Sequence, residues 1–261
     1  MDLMMVLVLL GFGLLAGTAG GLLGIGGCVI MLPALYFIFN YPLPIAIGTT
    51  ITAVIITAVS GAAAHIRMRN VDWSTVEAVA VSGGLGAVIG SLIFIYLLSQ
   101  IKLLNLILGF AFLYVSLRMI YEGFFRRGVK TSSGDKVPGG FMSKIIIGFF
   151  IGILTGIIGL GGGYALVPSF IYILGSPVKI AVGTSLASFI SMAVVSGGFK
   201  LYQGVVDIVA AVCLGVGTAI GAQLGARLVP RTPAWLIKGL FGLVFLYVSL
   251  KFVMKAFGIL I

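Results

Sequence analysis

Gly20-Gly21-Leu22-Leu23-Gly24-Ile25-Gly26-Gly27 interrupts an apolar run from 3 to 39, and Gly159-Leu160-Gly161-Gly162-Gly163 interrupts another from 145 to 174. A bilayer core is crossed by about 20 helical residues, so the first run is too long for one passage and each glycine cluster reads as a break between two helical pieces. From Lys144 to Gly159 is about 15 residues, or roughly 22 Å of helix, and from Gly163 to Leu174 about 12 residues, or roughly 18 Å. Both lengths suit a hairpin whose glycine tip lies inside a membrane, with a new half-helix starting near Cys28 and near Gly163.

The rest of the chain has the same solvent preference. Further apolar stretches run over 44–64, 76–98, 103–121, 178–199, 205–226 and 234–261. Of the 261 residues 61% are hydrophobic and only 8% charged, with a mean hydropathy of +1.27, which excludes a soluble fold. The runs lack the period-two alternation of barrel strands, so the fold class is an all-α integral membrane protein with about eight to ten helical membrane segments. Met1 to Leu10 has no basic start and continues as apolar helix, which reads as a first membrane segment and not as a cleaved signal. The 39 glycines, about twice average usage, point to closely packed helices and to breaks within the membrane.

The chain is duplicated. A shift of 135 residues lays Gly24, Gly26, Gly27, Pro33 and Pro42 on Gly159, Gly161, Gly162, Pro168 and Pro177, and 13 of the 38 positions from 24 to 61 are identical without a gap. Asp72 falls on Asp207, and Leu113-Tyr114-Val115-Ser116-Leu117 recurs as Leu246-Tyr247-Val248-Ser249-Leu250. This divides the protein into a first transmembrane repeat (1–121), a polar linker (122–144) and a second repeat (145–261), each repeat a glycine-broken hairpin plus three transmembrane helices. If each hairpin enters and leaves on one side, the halves are inverted and the Lys/Arg residues split 12 to 4 across the membrane; if they are parallel, the split is 11 to 5. Helix lengths favour inversion, and both schemes place the linker in the cytoplasm.

The net charge of +10 is loop-borne and follows the positive-inside rule, so nucleic acid is not an expected partner; lipid and a small anion are. Cys28 and Cys213 have neither disulfide nor metal spacing, and no cofactor is expected. A lone histidine with no neighbouring carboxylate argues against an enzyme. Duplicated membrane halves with broken helices are the usual build of secondary transporters, whose substrate sites lie where the breaks meet. Free N–H groups at a half-helix start attract anions, and glycines admit the ligand to the backbone, which nominates Gly24, Gly26, Gly27, Gly159, Gly161 and Gly162. Glycines also serve plain helix packing.

Hydroxyls form the second candidate set. Thr49 and Thr50 follow Gly48, Thr184 and Ser185 follow Gly183, and Ser188 lies one turn beyond Thr184; Thr52, Thr57, Ser60, Ser191 and Ser196 continue the two series. Neutral donors can strip water from an oxyanion without trapping it, although a helical Ser or Thr often bonds back to its own backbone. Tyr164 stands beside the second break. No carboxylate lies in mid-helix, so Asp72 and Asp207 read as caps with a secondary gating or coupling role. His65 and Lys200 occupy equivalent helix ends, where Lys200 could attract an anion or simply snorkel to the interface.

With these residues in view, the sequence resembles the TauE/SafE family of sulfite exporters, also called the sulfonate uptake permease family. The resemblance is carried by Gly-Leu-Leu-Gly-Ile-Gly-Gly at 21–27 with Pro33, by Ile45-Ala46-Ile47-Gly48-Thr49-Thr50, and by their second-half copies through Gly163, Pro168 and Thr184-Ser185. It implies a multi-pass plasma-membrane transporter of sulfite or organosulfonates such as sulfoacetate, isethionate or taurine-related compounds, compatible with a homo-oligomer. A channel-like anion pore of the same architecture is the alternative. Cys28 stands where the second break has Gly163, so the two tips need not contribute equally.

Overall fold

The computed structural model describes residues 2–23, 27–125, 134–160, 162–228 and 234–259. These are helical, with no strand among them. Helix α1 spans Leu3–Leu23, and α2 (Cys28–Pro33) passes into a wider π-type turn at Ala34–Ile38. Three long helices follow: α3 (Leu43–Arg67), α4 (Trp73–Leu97) and α5 (Ile101–Ile120), the last extended by a π-type turn at Tyr121–Phe125. The second half repeats the order with α6 (Phe141–Ile158), a 3₁₀ turn at Gly162–Tyr164, α7 (Leu166–Pro168) with a π-type turn at Ser169–Ile173, α8 (Val178–Tyr202), α9 (Ile208–Leu228) and α10 (Ala234–Ala256). Among the described residues eight helices are long and apolar enough to cross a membrane.

The hairpin arms are unequal. The first arms, α1 and α6, hold 21 and 18 residues and are themselves long enough to span, whereas the second arm Cys28–Ile38 is a short apolar piece. Proline explains the second arm's form. Pro33 and Pro168 have no N–H, and the helix after each widens so that Phe39 N–H reaches the carbonyl of Ala34 (2.9 Å) and Leu174 N–H that of Ser169 (3.2 Å). Asn40 (φ 55°) and Gly175 (φ 73°) then end the arm in the left-handed region, which asparagine and glycine adopt most easily. Pro42 and Pro177, equivalent again, open α3 and α8.

The chain forms two contact-defined units, each taking segments from both halves of the repeat. In the larger unit (1–93 and 130–226), α1 packs on α9 and α6 packs on α4, with backbones nearly touching. A Cβ at Gly17 would lie 2.3 Å from the carbonyl oxygen of Thr218, and one at the equivalent Gly152 would lie 2.1 Å from that of Gly83. Gly13 meets Leu214 as Gly17 meets Thr218, so α1 and α9 run parallel; Gly148 against Val79 and Gly152 against Gly83 make α6 and α4 parallel too. Helices α3 and α8 run antiparallel, Gly61 facing Leu186 and Gly197 facing Ile55. In the smaller unit (94–129 and 227–261), α5 and α10 are antiparallel partners: Ser116 Oγ donates to Gly242 O (2.9 Å) and Ser249 Oγ to Gly109 O (2.8 Å). The repeated Leu-Tyr-Val-Ser-Leu motif supplies both serines, and Phe112 meets Phe245 edge-on between the two bonds and stacks on Phe252 beyond them.

Asp72 caps α4. Its carboxylate accepts from Ser74 Oγ (2.8 Å), Thr75 Oγ1 (2.7 Å) and the Val137 N–H (3.0 Å), and Lys144 Nζ lies 3.8 Å away. The far end of the linker is thereby tied to the start of α4. Burial by itself would raise this carboxyl, but the two hydroxyls, the Val137 N–H and Lys144 outweigh it and hold the group below the ordinary aspartate value. A lowered folded-state pKa means stability that is present above the ordinary value and lost as pH falls through the folded one.

Two outcomes are expected in detergent-solubilised protein. Gly17→Val or Gly152→Val forces a Cβ into a backbone carbonyl and lowers stability by about 1–3 kcal/mol or more, while Gly84→Ala, whose Cβ meets nothing within 4 Å, leaves the melting temperature unchanged or raised. Asp72→Asn lowers stability on the order of 1–2 kcal/mol near neutral pH, and the gap to the unsubstituted protein closes as pH falls into the acid range; a gap that persists there removes the carboxylate from the account.

Candidate functional site

The two breaks carry most of the sequence's candidates. Gly24, Gly26 and Gly161 lie outside the described residues. Gly27 is buried with φ 73°, and its carbonyl takes the N–H groups of Ile30 (3.0 Å) and Met31 (3.1 Å), so a new helix does begin at Cys28. At the second break Gly159 ends α6 with φ 65°, its N–H bonded to Thr155 O (2.9 Å). The chain past it differs from the expected half-helix at Gly163: Gly162 opens a single 3₁₀ turn that includes Tyr164, and α-helix resumes only at Leu166. Consecutive glycines are poor helix formers, which delays the restart.

Thr49 and Thr184 hold a joint. Thr49 Oγ1 accepts the Asp207 N–H (3.0 Å) and Thr184 Oγ1 accepts the Asp72 N–H (3.0 Å), so each long helix start clasps the turn ahead of α9 or α4. Gly48 and Gly183 make the approach feasible, since a Cβ at either would sit 2.1 Å from the carbonyl of Val205 or Asn70. Each threonine keeps its hydroxyl proton to donate. Asp207 is also held by Ala210 N–H (3.0 Å) and by Tyr41 OH (2.9 Å); burial, that hydrogen bond and the carboxylate's charge push the Tyr41 phenol up to about 12, so it stays a donor at physiological pH.

Most remaining hydroxyls bond to helix backbone. Ser185 Oγ donates to Val182 O (2.9 Å), Ser188 to Thr184 O (2.8 Å), Thr52 to Gly48 O (2.8 Å), Ser191 to Ala80 O (2.8 Å) and Ser196 to Thr155 O (3.4 Å), while Thr57 and Thr218 share a bond of 2.6 Å. Thr50 and Thr155 are different. Both are fully buried, and neither Oγ1 has a hydrogen-bond partner among the described residues. Thr155 escaped sequence reasoning because its repeat equivalent is Gly20; the available signal was a hydroxyl in an otherwise apolar helix one turn before a glycine break.

Both hydroxyls lie one turn from the contact between the break and α3. A Cβ at Gly159 would lie 2.9 Å from Ile47 O and 2.8 Å from Ile47 Cγ2, so the break rests on the turn of α3 that carries Thr50. Thr155 precedes Gly159 by one helical turn on the same face. Lys200 enters from α8: its side chain is fully buried and Nζ donates to Gly156 O, which corrects the snorkelling expectation, because the ammonium lies in the protein interior. His65, its equivalent, is half-buried, with Nδ1 unpartnered. Tyr164 is buried beside the break. The end of α6 at the second break thus carries the buried Thr155 hydroxyl and receives the Lys200 side chain, and it rests on the α3 turn next to Thr50.

Comparison with known proteins shows the family. The family model described as "Sulfite exporter TauE/SafE" matches residues 9–252. The chain is 30% identical over 268 residues to a probable membrane transporter protein of Xylella fastidiosa (strain 9a5c), covering 100% of both, and 27% identical over 244 residues to the probable membrane transporter protein YunE of Bacillus subtilis, covering 86% of this chain and 89% of the relative. No solved structure matches. A match over nearly the whole length, on a chain of eight candidate spans, places this protein in the TauE/SafE sulfite exporter family of membrane transporters.

Proposed function

We propose that the protein is a secondary transporter that carries small sulfur-containing anions, sulfite or organosulfonates, across the plasma membrane, with the anion held between the two glycine breaks. The substrate class follows the family's description, and the observation that carries the transport mechanism is the exchange of contacts between halves. Helix α1 runs with α9 and α6 with α4, while α3 opposes α8; the short turns at 68–72 and 203–207 reverse the chain between α3 and α4 and between α8 and α9. It follows that α1 and α6 point in opposite directions, which supports inverted halves. Inverted halves can exchange their conformations, so that a central site opens first to one side of the membrane and then to the other. The inverted scheme puts Arg67, Arg69, Arg118, Lys179 and the linker cations on one face, read as cytoplasmic.

Charge supports an anion over a cation. The described carboxylates that the sequence singled out, Asp72 and Asp207, are engaged as helix caps outside the spans, and the break region offers hydroxyls and an ammonium instead.

The test is flux into proteoliposomes. Uptake of sulfite or sulfoacetate is expected to saturate and to be accelerated by the same anion on the opposite side; flux that rises linearly with concentration identifies a pore and overturns the carrier reading. Gly26→Val and Gly161→Val are expected to depress transport more than melting temperature, because a Cβ blocks the ligand's approach to the backbone. Variants that unfold while transport per folded molecule is preserved assign those glycines to packing.

A further inference from the structure

The two halves share their backbone plan but not their polar interior. Where the second half has Lys200, the first has His65; where α6 has Thr155, α1 has Gly20; where α3 has Thr50, α8 has Ser185, whose hydroxyl is spent on Val182 O. Desolvated donors are thus gathered around one break. Leaving a buried hydroxyl without an acceptor costs stability on its own, and two such groups, each one turn from the contact of Gly159 with Ile47, form an arrangement that folding does not require. A third fully buried hydroxyl without a partner, Ser91 of α4, belongs to the same neighbourhood, since its backbone nitrogen lies 2.7 Å from the Cβ position of Gly156.

We propose that the Gly159 break carries an oxyanion subsite for a singly charged, tetrahedral or pyramidal sulfur acid, in which Thr50 and Thr155 donate hydrogen bonds and the Lys200 ammonium supplies the counter-charge. This deepens the transport reading given above and rests on it for the substrate class. The lysine's bond to Gly156 O fixes its position at the end of α6, so the donor is in place before the anion arrives, and a bound anion favours its ammonium form. Two hydroxyls and one ammonium match the three oxygens of a sulfonate. One positive charge in a dry site selects a monoanion over a neutral isostere of the same shape. The subsite forms the Gly159 side of the site between the breaks, so the two halves contribute unequally despite the duplicated fold.

The probe is binding by the full-length protein in detergent or nanodiscs, read as ligand-induced thermal stabilisation and by calorimetry, with methanesulfonate, sulfite and sulfoacetate at fixed ionic strength and dimethyl sulfone as the neutral isostere. Thr50→Val and Thr155→Val are each expected to weaken methanesulfonate binding about tenfold or more while the ligand-free melting temperature holds or rises, since each removes an unpartnered buried hydroxyl. Thr52→Val, whose hydroxyl bonds to its own helix, leaves affinity unchanged. Lys200→Met is expected to abolish the preference for methanesulfonate over dimethyl sulfone; because that variant also loses the bond to α6, the two threonine variants decide the matter if it fails to fold. Equal affinity in Thr50→Val, Thr155→Val and the unsubstituted protein overturns the subsite. Should no sulfur anion bind the unsubstituted protein, the same variants are measured with nitrate, acetate and phosphate. Sensitivity there keeps the subsite and overturns the sulfur substrate, and absence of any anion binding overturns both.

Discussion

A helix break enclosed in protein leaves N–H and C=O groups with no water to satisfy them, and much of this fold follows from covering two such breaks. The ends at Gly27 and Gly159 are both placed against protein, the first on Ala16 and Gly17 of α1, the second on Ile47 of α3. Close approach is the means. Glycine on the facing helices lets backbone meet backbone, so the breaks are enclosed by main chain as much as by side chains, and the same glycines set the pairings α1 with α9 and α4 with α6.

Enclosure has a consequence for chemistry. Side chains at a covered break are desolvated, so hydroxyls there must find a partner or stay ready for one. Around the Gly159 break both conditions occur on neighbouring residues: Ser196 bonds to Thr155 O, while the hydroxyls of Thr155 and Thr50 are unsatisfied. Lys200 reaches the same helix end from α8 and donates to Gly156 O, and at low dielectric an ammonium there would favour an anion, which is the basis of the proposed subsite. The carboxylates, by contrast, sit at helix starts and work as caps and ties, Asp72 to the linker and Asp207 to the end of the short arm through Tyr41.

Duplication explains why so much of the architecture occurs twice. The clasp of Thr49 on Asp207 and of Thr184 on Asp72 joins each half to the turn of the other, and the serine pair of α5 and α10 does the same in the smaller unit. Joints of this kind keep the two halves interlocked without fixing them by apolar packing alone. Departures from the repeat then mark individual roles: Thr57 with Thr218 forms a hydrogen bond where the equivalent pair is Met192 filling the space over Gly83.

Much was readable in the residues before any coordinates. Apolar length dictated membrane helices, the 135-residue repeat dictated two equivalent halves, and Gly48-Thr49 and Gly183-Thr184 stood out because backbone-permissive and donor residues recur in register. Those features depend on local pattern, which a sequence carries in full. Tertiary structure decided what pattern cannot express: that the short second arm widens into a π-type turn after its proline, that the threonine pair accepts N–H groups from the opposite half, and that Lys200 turns inward to Gly156 and not outward to the interface. It alone decided which hydroxyls are left unpaired, because a Ser or Thr in a helix can bond to its own backbone or reach a neighbour, and only the positions of the surrounding helices choose between these.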